Sequence, residues 1–296
     1  MAAHASPHPL LVRSRSLRRR RLANRVMEIV AWAGAVVAVG ILFVVIASVL
    51  FKGISSLDLS FLTTPTDPFG QGGGISNAII GTGILVGLAA LLAVPLGILV
   101  AIYTSEFAGA RFGFAVRYVM DVLNGVPTII TGIFVFGLLV VGHHQSGWAG
   151  AVALAIVMVP LISRSCHEVL ALVPGAIKEA GLALGASRWR TVLTVVVPTA
   201  LSGLITSALL AVARAAGETA PLLFTCSIFP NLVQTDPSQV LPNVPVTIFQ
   251  FSESPAPAKH AQAWAAALIL IAFVLLVSAV ARLLSTRARR RLAAAR

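Results

Sequence analysis

An arginine and a glutamate lie four residues apart in an otherwise apolar stretch, at Arg214 and Glu218. If the stretch is a single helix, the two side chains lie on the same face. The guanidinium group offers several N–H donors in a planar fork, which suits the oxygens of an anionic ligand. A charge at membrane depth costs on the order of 3 kcal/mol, and such charges usually face a pathway inside a helix bundle. The spacing therefore predicts that Arg214 contacts an oxyanion and that Glu218 positions it.

Two other interpretations of this pair stay open. The two residues could form an internal ion pair that only holds helices together, or Glu218 could already lie at the outer membrane interface. Polar side chains also occur within a second apolar stretch, at Asn124 and Thr128. These side chains either line the same route or bond to carbonyl groups of their own helix.

The composition of the chain indicates a membrane environment for these residues. Of the 296 residues, 57% are hydrophobic and 11% are charged, whereas soluble domains have roughly 25% charged residues. This composition excludes a disordered chain and all but excludes a water-soluble globular enzyme. The two cysteines, Cys166 and Cys226, are too few for a disulfide framework or a metal cluster, and we predict that both are unpaired.

Six apolar segments are long enough, or nearly so, to cross about 30 Å of hydrocarbon. We predict an all-α integral membrane protein with six transmembrane helices, at residues 29–51, 75–103, 122–142, 148–163, 191–225 and 261–281. An even number of spans places both termini on one side. Glu106, just after the second span, is expected to be a solvated loop residue.

The distribution of basic residues predicts which side that is. In this topology, 19 of the 22 lysines and arginines fall on one side of the membrane. The exceptions are Lys52, Lys259 and Arg214. Because cytoplasmic loops carry the excess of lysine and arginine, both termini are predicted to be cytoplasmic. The net charge of +12 is then a sign of topology, and we expect the arginine-rich tails to contact membrane lipid and no nucleic acid.

The loop between the fourth and fifth spans, at about residues 164–197, is longer than a simple connection requires. Residues 176–184 fit a short amphipathic helix, Gly185 fits a left-handed helix stop, and Ser187 fits the cap of the next helix. The pattern predicts a helix–turn–helix elbow outside the membrane. The elbow either only links two spans or is a docking surface for another protein.

The residues of this elbow resemble the cytoplasmic EAA motif of ATP-binding-cassette (ABC) importer permeases. The chain has Glu179-Ala180-Gly181, then Gly185 after three residues, and Val195 to Pro198 after nine more. Glycine replaces the second alanine of the motif, and valines replace its isoleucine and leucine. The resemblance implies that the elbow couples to a separate ATPase subunit through Glu179, Ala180, Gly181 and Gly185.

The stretch from Arg214 to Thr225 resembles the signature of phosphate ABC transporter permeases, and implies that Arg214, Glu218 and Thr219 take part in substrate translocation. Residues 81–106, 124–128 and 241–268 resemble the PstA-type subunit of that family. The related PstC-type subunit shares the core of the signature, so it remains an alternative. The likeness covers roughly residues 26–284, between basic tails at 1–25 and 285–296.

The resemblance implies a type I importer permease subunit in the plasma membrane of a bacterium, forming half of a phosphate pathway and not itself an enzyme. It implies three kinds of partner: a PstC-type permease subunit, PstB-type ATPase subunits that bind ATP, and an extracytoplasmic phosphate-binding protein. No cofactor or metal is expected in this chain. Remaining alternatives are an ABC permease for another oxyanion, an ion-driven secondary transporter and a membrane-embedded enzyme, which would need a nucleophile and a base or several metal ligands at membrane depth.

Overall fold

The computed structural model describes residues 15–67, 72–227 and 232–294, and its regular structure is helical throughout these ranges apart from one isolated β-bridge. The predicted all-α class is thereby confirmed. In chain order the helices are α1 (Arg15–Ile54), α2 (Leu59–Thr63), α3 (Ser76–Ile102), α4 (Ala110–Gly125), α5 (Thr128–Val135), α6 (Gly147–Ala171), α7 (Gly175–Ala183), α8 (Arg188–Thr191), α9 (Val197–Ala215), α10 (Ala220–Thr225), α11 (Val244–Ser252) and α12 (Pro257–Ala294). Short π-helical turns follow α3, α5 and α8, at Tyr103–Phe107, Phe136–Val140 and Val192–Val196.

The described residues up to Phe51 form a compact unit of their own. This unit consists of most of helix α1. The 40 residues of α1 extend over about 60 Å at 1.5 Å per residue, roughly twice the thickness of a bilayer core. Its first turns carry the exposed arginines Arg19, Arg20, Arg21 and Arg25. The predicted basic tail 1–25 lies partly outside the described residues, as do the last two residues of the C-terminal tail.

The second unit, from Lys52 onward, is built on a close pair of helices, α3 and α6. A Cβ atom at Gly97 of α3 would lie 2.8 Å from side-chain carbons of Ile162 of α6, so glycine permits this approach. Small residues allow membrane helices to pack closely in this way. Leu85 of α3 and Leu154 and Met158 of α6 are fully buried in the core formed there.

Five helices of the described residues are long and apolar enough to cross a membrane, and α4 with α5 makes a sixth if this bent pair is one span. The predicted number of six is therefore confirmed with one span broken. The predicted fourth span, 148–163, is too short, because α6 continues through Pro160 to Ala171. The predicted sixth span lies within α12.

The third span was predicted as one segment, 122–142, and this expectation is wrong. Helix α4 ends at Gly125, α5 starts at Thr128, and the two axes differ by 95°. Pro127 lacks an N–H group for a helical hydrogen bond, and the residue before a proline is driven toward extended backbone. Val126 has that conformation, with ψ at 129°.

The fifth span was predicted to run to residue 225, and it too is interrupted. Helix α9 ends at Ala215, and α10 begins at Ala220 with Pro221 in its first turn. Glycine at position 217 is a poor helix former, and proline is favoured at the start of a helix. Gly217 and Pro221 therefore mark the break, although the stretch stays apolar across it.

The proline-rich segment between α10 and α12 contains α11. Asn243 caps α11 by accepting a hydrogen bond from the N–H of Val246 at 3.1 Å. The loop is attached to α3, because the N–H of Val244 donates to Thr82 Oγ1 at 2.8 Å. The start of α11 is thereby fixed against the N-terminal part of α3.

Candidate functional site

A small cavity of about 60 Å³ lies where α4, α5, α6 and α9 approach one another. Its polar lining comes from Asn124, Thr128, Thr131 and Arg214. Leu123, Val126, Ile156, Val157 and Leu161 supply the apolar part of the wall. The structure thus brings together Arg214, Asn124 and Thr128, residues that the sequence singled out in two different predicted spans.

The cavity lies at both helix breaks. Asn124 is in the last turn of α4, Thr128 is the first residue of α5, and Arg214 is in the last turn of α9. Helices α5 and α10 touch there, since a Cβ atom at Gly132 would lie 2.7 Å from the Cα atom of Pro221. Broken membrane helices leave backbone groups facing a cavity, and the N-terminal end of a helix favours negative charge.

The electrostatic character of the cavity is positive, because Arg214 is the charged residue among the described side chains that line it. Arg214 is exposed in the single chain. An arginine beside an amide and two hydroxyl groups provides donors for the oxygens of a small anion.

Among the residues that the structure describes, Glu218 and Thr219 do not line this cavity. The expectation that residues 214 and 218 share one helix face is wrong, because α9 ends at Ala215 and Glu218 lies in the break. Within the described part of the chain, no ion pair or hydrogen bond joins Glu218 to Arg214. Thr219 precedes α10, and its carbonyl accepts hydrogen bonds from Leu222 and Leu223 at 3.1 Å.

The elbow predicted after the fourth span is present. Helix α7 runs over Gly175–Ala183 and stops at Gly185, whose φ is +81°. The N–H of Gly185 donates to the carbonyl of Leu182 at 2.9 Å, and the N–H of Ala186 donates to that of Gly181 at 3.3 Å. This pair of bonds is the Schellman helix stop. Ser187 then caps α8 by accepting from the N–H of Arg190 at 3.4 Å.

The outer surface of the elbow combines charge with exposed apolar groups. Glu179 and Ala180 are exposed on α7, and Leu184 at the turn is 89% exposed. Gly181 faces the opposite way, toward Thr191 of α8, whose Cγ2 atom lies 2.7 Å from where a Cβ would stand.

Sequence reasoning missed one connection of the elbow. Glu106, expected to be solvated, is buried, and its Oε1 atom lies 2.6 Å from Nζ of Lys178 on α7. The two residues are 72 positions apart, and no periodicity in the sequence links them. The one available signal was an acidic residue directly followed by Phe107 at the end of a span.

A family model described as binding-protein-dependent transport system inner membrane component matches residues 93–290. The chain belongs to this family. Among similar proteins, the phosphate transport system permease protein PstA of Yersinia pestis is 38% identical over 268 residues, 90% of each chain. PstA of Haemophilus influenzae is 36% identical over 89% of this chain and 94% of its own, and PstA 1 of Mycobacterium tuberculosis is 35% identical over 95% and 94%.

Solved structures of ABC transporters share the fold of this family member. A structure of a bacterial alginate ABC transporter matches with a TM-score of 0.64 at 15% identity, covering 91% of this chain and 95% of that one. An inward-facing structure of the MetNI methionine ABC transporter matches with a TM-score of 0.57 at 18% identity, over 72% and 93%. The predicted resemblance to PstA-type ABC importer permeases is confirmed, as is the prediction of a transporter subunit rather than an enzyme.

Proposed function

We propose that the chain is the PstA-type permease subunit of an ATP-driven phosphate importer and forms half of the translocation pathway. The observation that carries this proposal is the 38% identity, over 90% of both chains, to a PstA phosphate transport permease. We assign the permease domain to residues 26–284, between the two basic tails.

The cavity at Arg214 supports phosphate as the substrate. Phosphate carries negative charge on oxygens that accept hydrogen bonds, and an arginine fork matches two of them at once. Asn124 can donate from its amide and Thr128 from its hydroxyl. In this proposal Glu218 takes part in translocation from its position in the break between α9 and α10, without forming an ion pair with Arg214. Thr219 sets the start of α10.

The elbow supports coupling to a separate ATPase. Glu179 and Ala180 are exposed and Leu184 projects from the turn, whereas Gly181 and Gly185 give the elbow its shape. We assign this surface to a PstB-type subunit that binds ATP. The other partners in the proposal are a PstC-type permease, which completes the pathway, and an extracytoplasmic phosphate-binding protein; the chain itself holds no cofactor.

The proposed location is a bacterial plasma membrane, with both termini and the elbow in the cytoplasm and the arginine-rich tails near anionic lipid headgroups. Single cysteines at positions 238 and 183, in a chain whose native cysteines are replaced, test this orientation. An impermeant maleimide added to intact cells should label position 238 and leave position 183 unlabelled. The reverse pattern would contradict the topology.

The function is tested by uptake in proteoliposomes containing this chain, a PstC-type permease, the ATPase subunits and the phosphate-binding protein. We expect radiolabelled phosphate to accumulate only when ATP is on the elbow side and the binding protein is on the other. Accumulation driven by an ion gradient without ATP would identify a secondary transporter instead. Stronger competition by sulfate or molybdate than by unlabelled phosphate would identify a permease for another oxyanion.

A further inference from the structure

The π-helical turn Tyr103–Phe107 connects the long helix α3 to both helices of the elbow. Glu106 Oε1 accepts a hydrogen bond from Nζ of Lys178, on α7, at 2.6 Å. The ring of Phe107 lies 5.2 Å from the ring of Trp189, on α8, and the guanidinium of Arg188 lies 5.7 Å from the Phe107 ring. Turns of this kind often mark functional positions in helices.

The same turn also contacts two helices that line the Arg214 cavity. Arg117 of α4 donates from Nη1 to the carbonyl of Thr104 at 3.3 Å. The hydroxyl of Thr104 lies 3.3 Å from Nδ1 of His167 on α6. Helix α4 carries Asn124 of the cavity, and α6 carries Ile156, Val157 and Leu161 of its apolar wall. The turn therefore lies between the elbow, which is the proposed docking surface for the ATPase, and the helices around the proposed substrate site.

We infer that Glu106 is a positioning residue that transmits movement of the elbow, through this turn, to helices α4 and α6 around the substrate cavity. The inference rests on the proposed function and adds a residue that transmits the coupling. This role requires that Glu106 be held tightly by its contact with the elbow. It also requires that the elbow keep an exposed face on which the ATPase can bind.

The surroundings of Glu106 and of Lys178, its partner on α7, meet both requirements. The side chain of Glu106 is 7% exposed and that of Lys178 is 26% exposed, so water screens the pair weakly. The hydroxyl of Ser105 donates to the same Oε1 atom at 2.9 Å. Glu179 follows Lys178 and is exposed, because successive helix residues point about 100° apart. One face of α7 thus holds the π turn, and the other is open.

A purely structural role for the pair leads to a different result. If Glu106 only keeps the elbow in place, its loss should release the ATPase subunit, and uptake and ATP hydrolysis should fall together. If Glu106 transmits movement, the ATPase should stay bound and hydrolyse ATP while less phosphate is moved for each ATP. The measured quantities are therefore ATPase retention and phosphate transported per ATP.

The test uses the complete reconstituted complex with Glu106→Gln. We expect ATPase retention to be unchanged and phosphate per ATP to fall about tenfold, within the range found for residues that couple distant sites. The matched control is Glu168→Gln, because Glu168 is 68% exposed and lies 3.5 Å from Arg164. The control should leave phosphate per ATP unchanged.

Two double variants keep the inference testable if a single change lowers the amount of permease in the membrane, since removing one partner leaves a buried charge unpaired. The exchange Glu106→Lys with Lys178→Glu should recover at least half of the lost coupling. The neutral pair Glu106→Gln with Lys178→Met should assemble and remain uncoupled. Full phosphate per ATP in the neutral pair, no recovery in the exchanged pair, or loss of the ATPase from Glu106→Gln would each overturn the inference.

Failure of the proposed function is seen separately, in the unchanged complex. If that complex transports another oxyanion, the same ratio is measured with that anion, and the expectations for Glu106 are the same. If the unchanged complex transports phosphate and Glu106→Gln has normal phosphate per ATP, only the inference is wrong.

Discussion

The Cγ2 atom of Thr191 occupies the space that a side chain at position 181 would need. A Cβ atom at Gly181 would lie 2.7 Å from Cγ2 and 3.2 Å from Oγ1 of this threonine. Thr191, the last residue of α8, is buried, and its side chain lies against α7. The glycine that replaces the second alanine of the EAA motif is thus matched by a β-branched residue on the facing helix.

Gly181→Ala should distort the elbow, because overpacking a tight contact costs roughly 1–3 kcal/mol. We expect the variant to insert in the membrane and to retain less ATPase in detergent extracts. Adding Thr191→Ser removes the methyl group and should restore retention. Normal retention in Gly181→Ala, or no recovery in the double variant, would contradict this account of the contact.

Gly185→Val tests the backbone conformation of the elbow rather than its packing. The φ of Gly185 is +81° and the space around its Cβ position is open, so the cost is that of a left-handed backbone, about 1–2 kcal/mol. A β-branched residue is especially unfavourable there. We expect reduced ATPase retention and reduced uptake, measured against the amount of permease in the membrane.

Gly142 provides the matched control for that substitution. Its φ is +80°, and the space around it is also open, but it lies in the turn between α5 and α6. Gly142→Val introduces the same backbone strain away from the elbow, and ATPase retention should remain normal. Equal loss of the ATPase from both variants would show that strain anywhere in the chain releases it, and would reject a specific docking role for the elbow.

The sequence predicted those parts of the structure that depend on composition and on local backbone chemistry. The apolar stretches indicated the spans, and Gly185 and Ser187 indicated the helix stop and cap of the elbow. Hydropathy could not reveal the bend at Val126-Pro127 or the break after Ala215, because both segments stay apolar across the interruption. Pro127 and Pro221 were the local signals at these two points.

Contacts between distant segments were beyond the sequence. Nothing in the neighbourhood of Glu106 distinguishes a solvated carboxylate from one paired with Lys178, since burial depends on how α7 folds back onto α3. By contrast, Arg214, Asn124 and Thr128 were each unusual for an apolar span. A common lining role therefore could be proposed for them before their positions were known.

Cys226 should be chemically silent in the folded protein. The residue is 1% exposed, and its thiol donates to the carbonyl of Leu241 while accepting from the N–H of Leu241, both at 3.1 Å. Burial raises the pKa of the Cys226 thiol from its ordinary value of 9.0 to about 12. Because the thiolate is the reactive form, maleimide at pH 7–8 should label this position only after denaturation.

The same pKa shift gives a pH dependence of stability with a defined sign. A thiol whose pKa is raised on folding stays protonated in the folded protein above pH 9, where the unfolded chain loses its proton. The Cys226 contribution should therefore be intact below pH 9 and fall as the pH rises from 9 toward 12. Thermal unfolding of the wild type and Cys226→Ser across this range measures it; an equal pH slope in both would contradict it.

Arg214 is the residue on which the substrate hypothesis depends, and the structure sharpens the test. Arg214→Lys keeps the charge and loses the planar fork, so phosphate uptake should fall about tenfold while assembly survives. Arg214→Gln removes the charge and should abolish uptake. Asn124→Ala, across the same cavity, should lower uptake less, since a neutral hydrogen bond contributes about 1 kcal/mol.

The competing view is that Arg214 only stabilises the helix bundle, paired with Glu218. If the residues were an ion pair, replacing both with apolar side chains could leave a stable and active protein, because well-packed apolar groups often substitute for buried pairs. The structure places Glu218 in the break after α9, so Glu218→Gln alone should not impair assembly. We therefore expect Arg214→Leu with Glu218→Leu to assemble with the partner permease and to transport no phosphate, and full uptake by that double variant, normalised to its amount in the membrane, would rule out contact between Arg214 and the substrate.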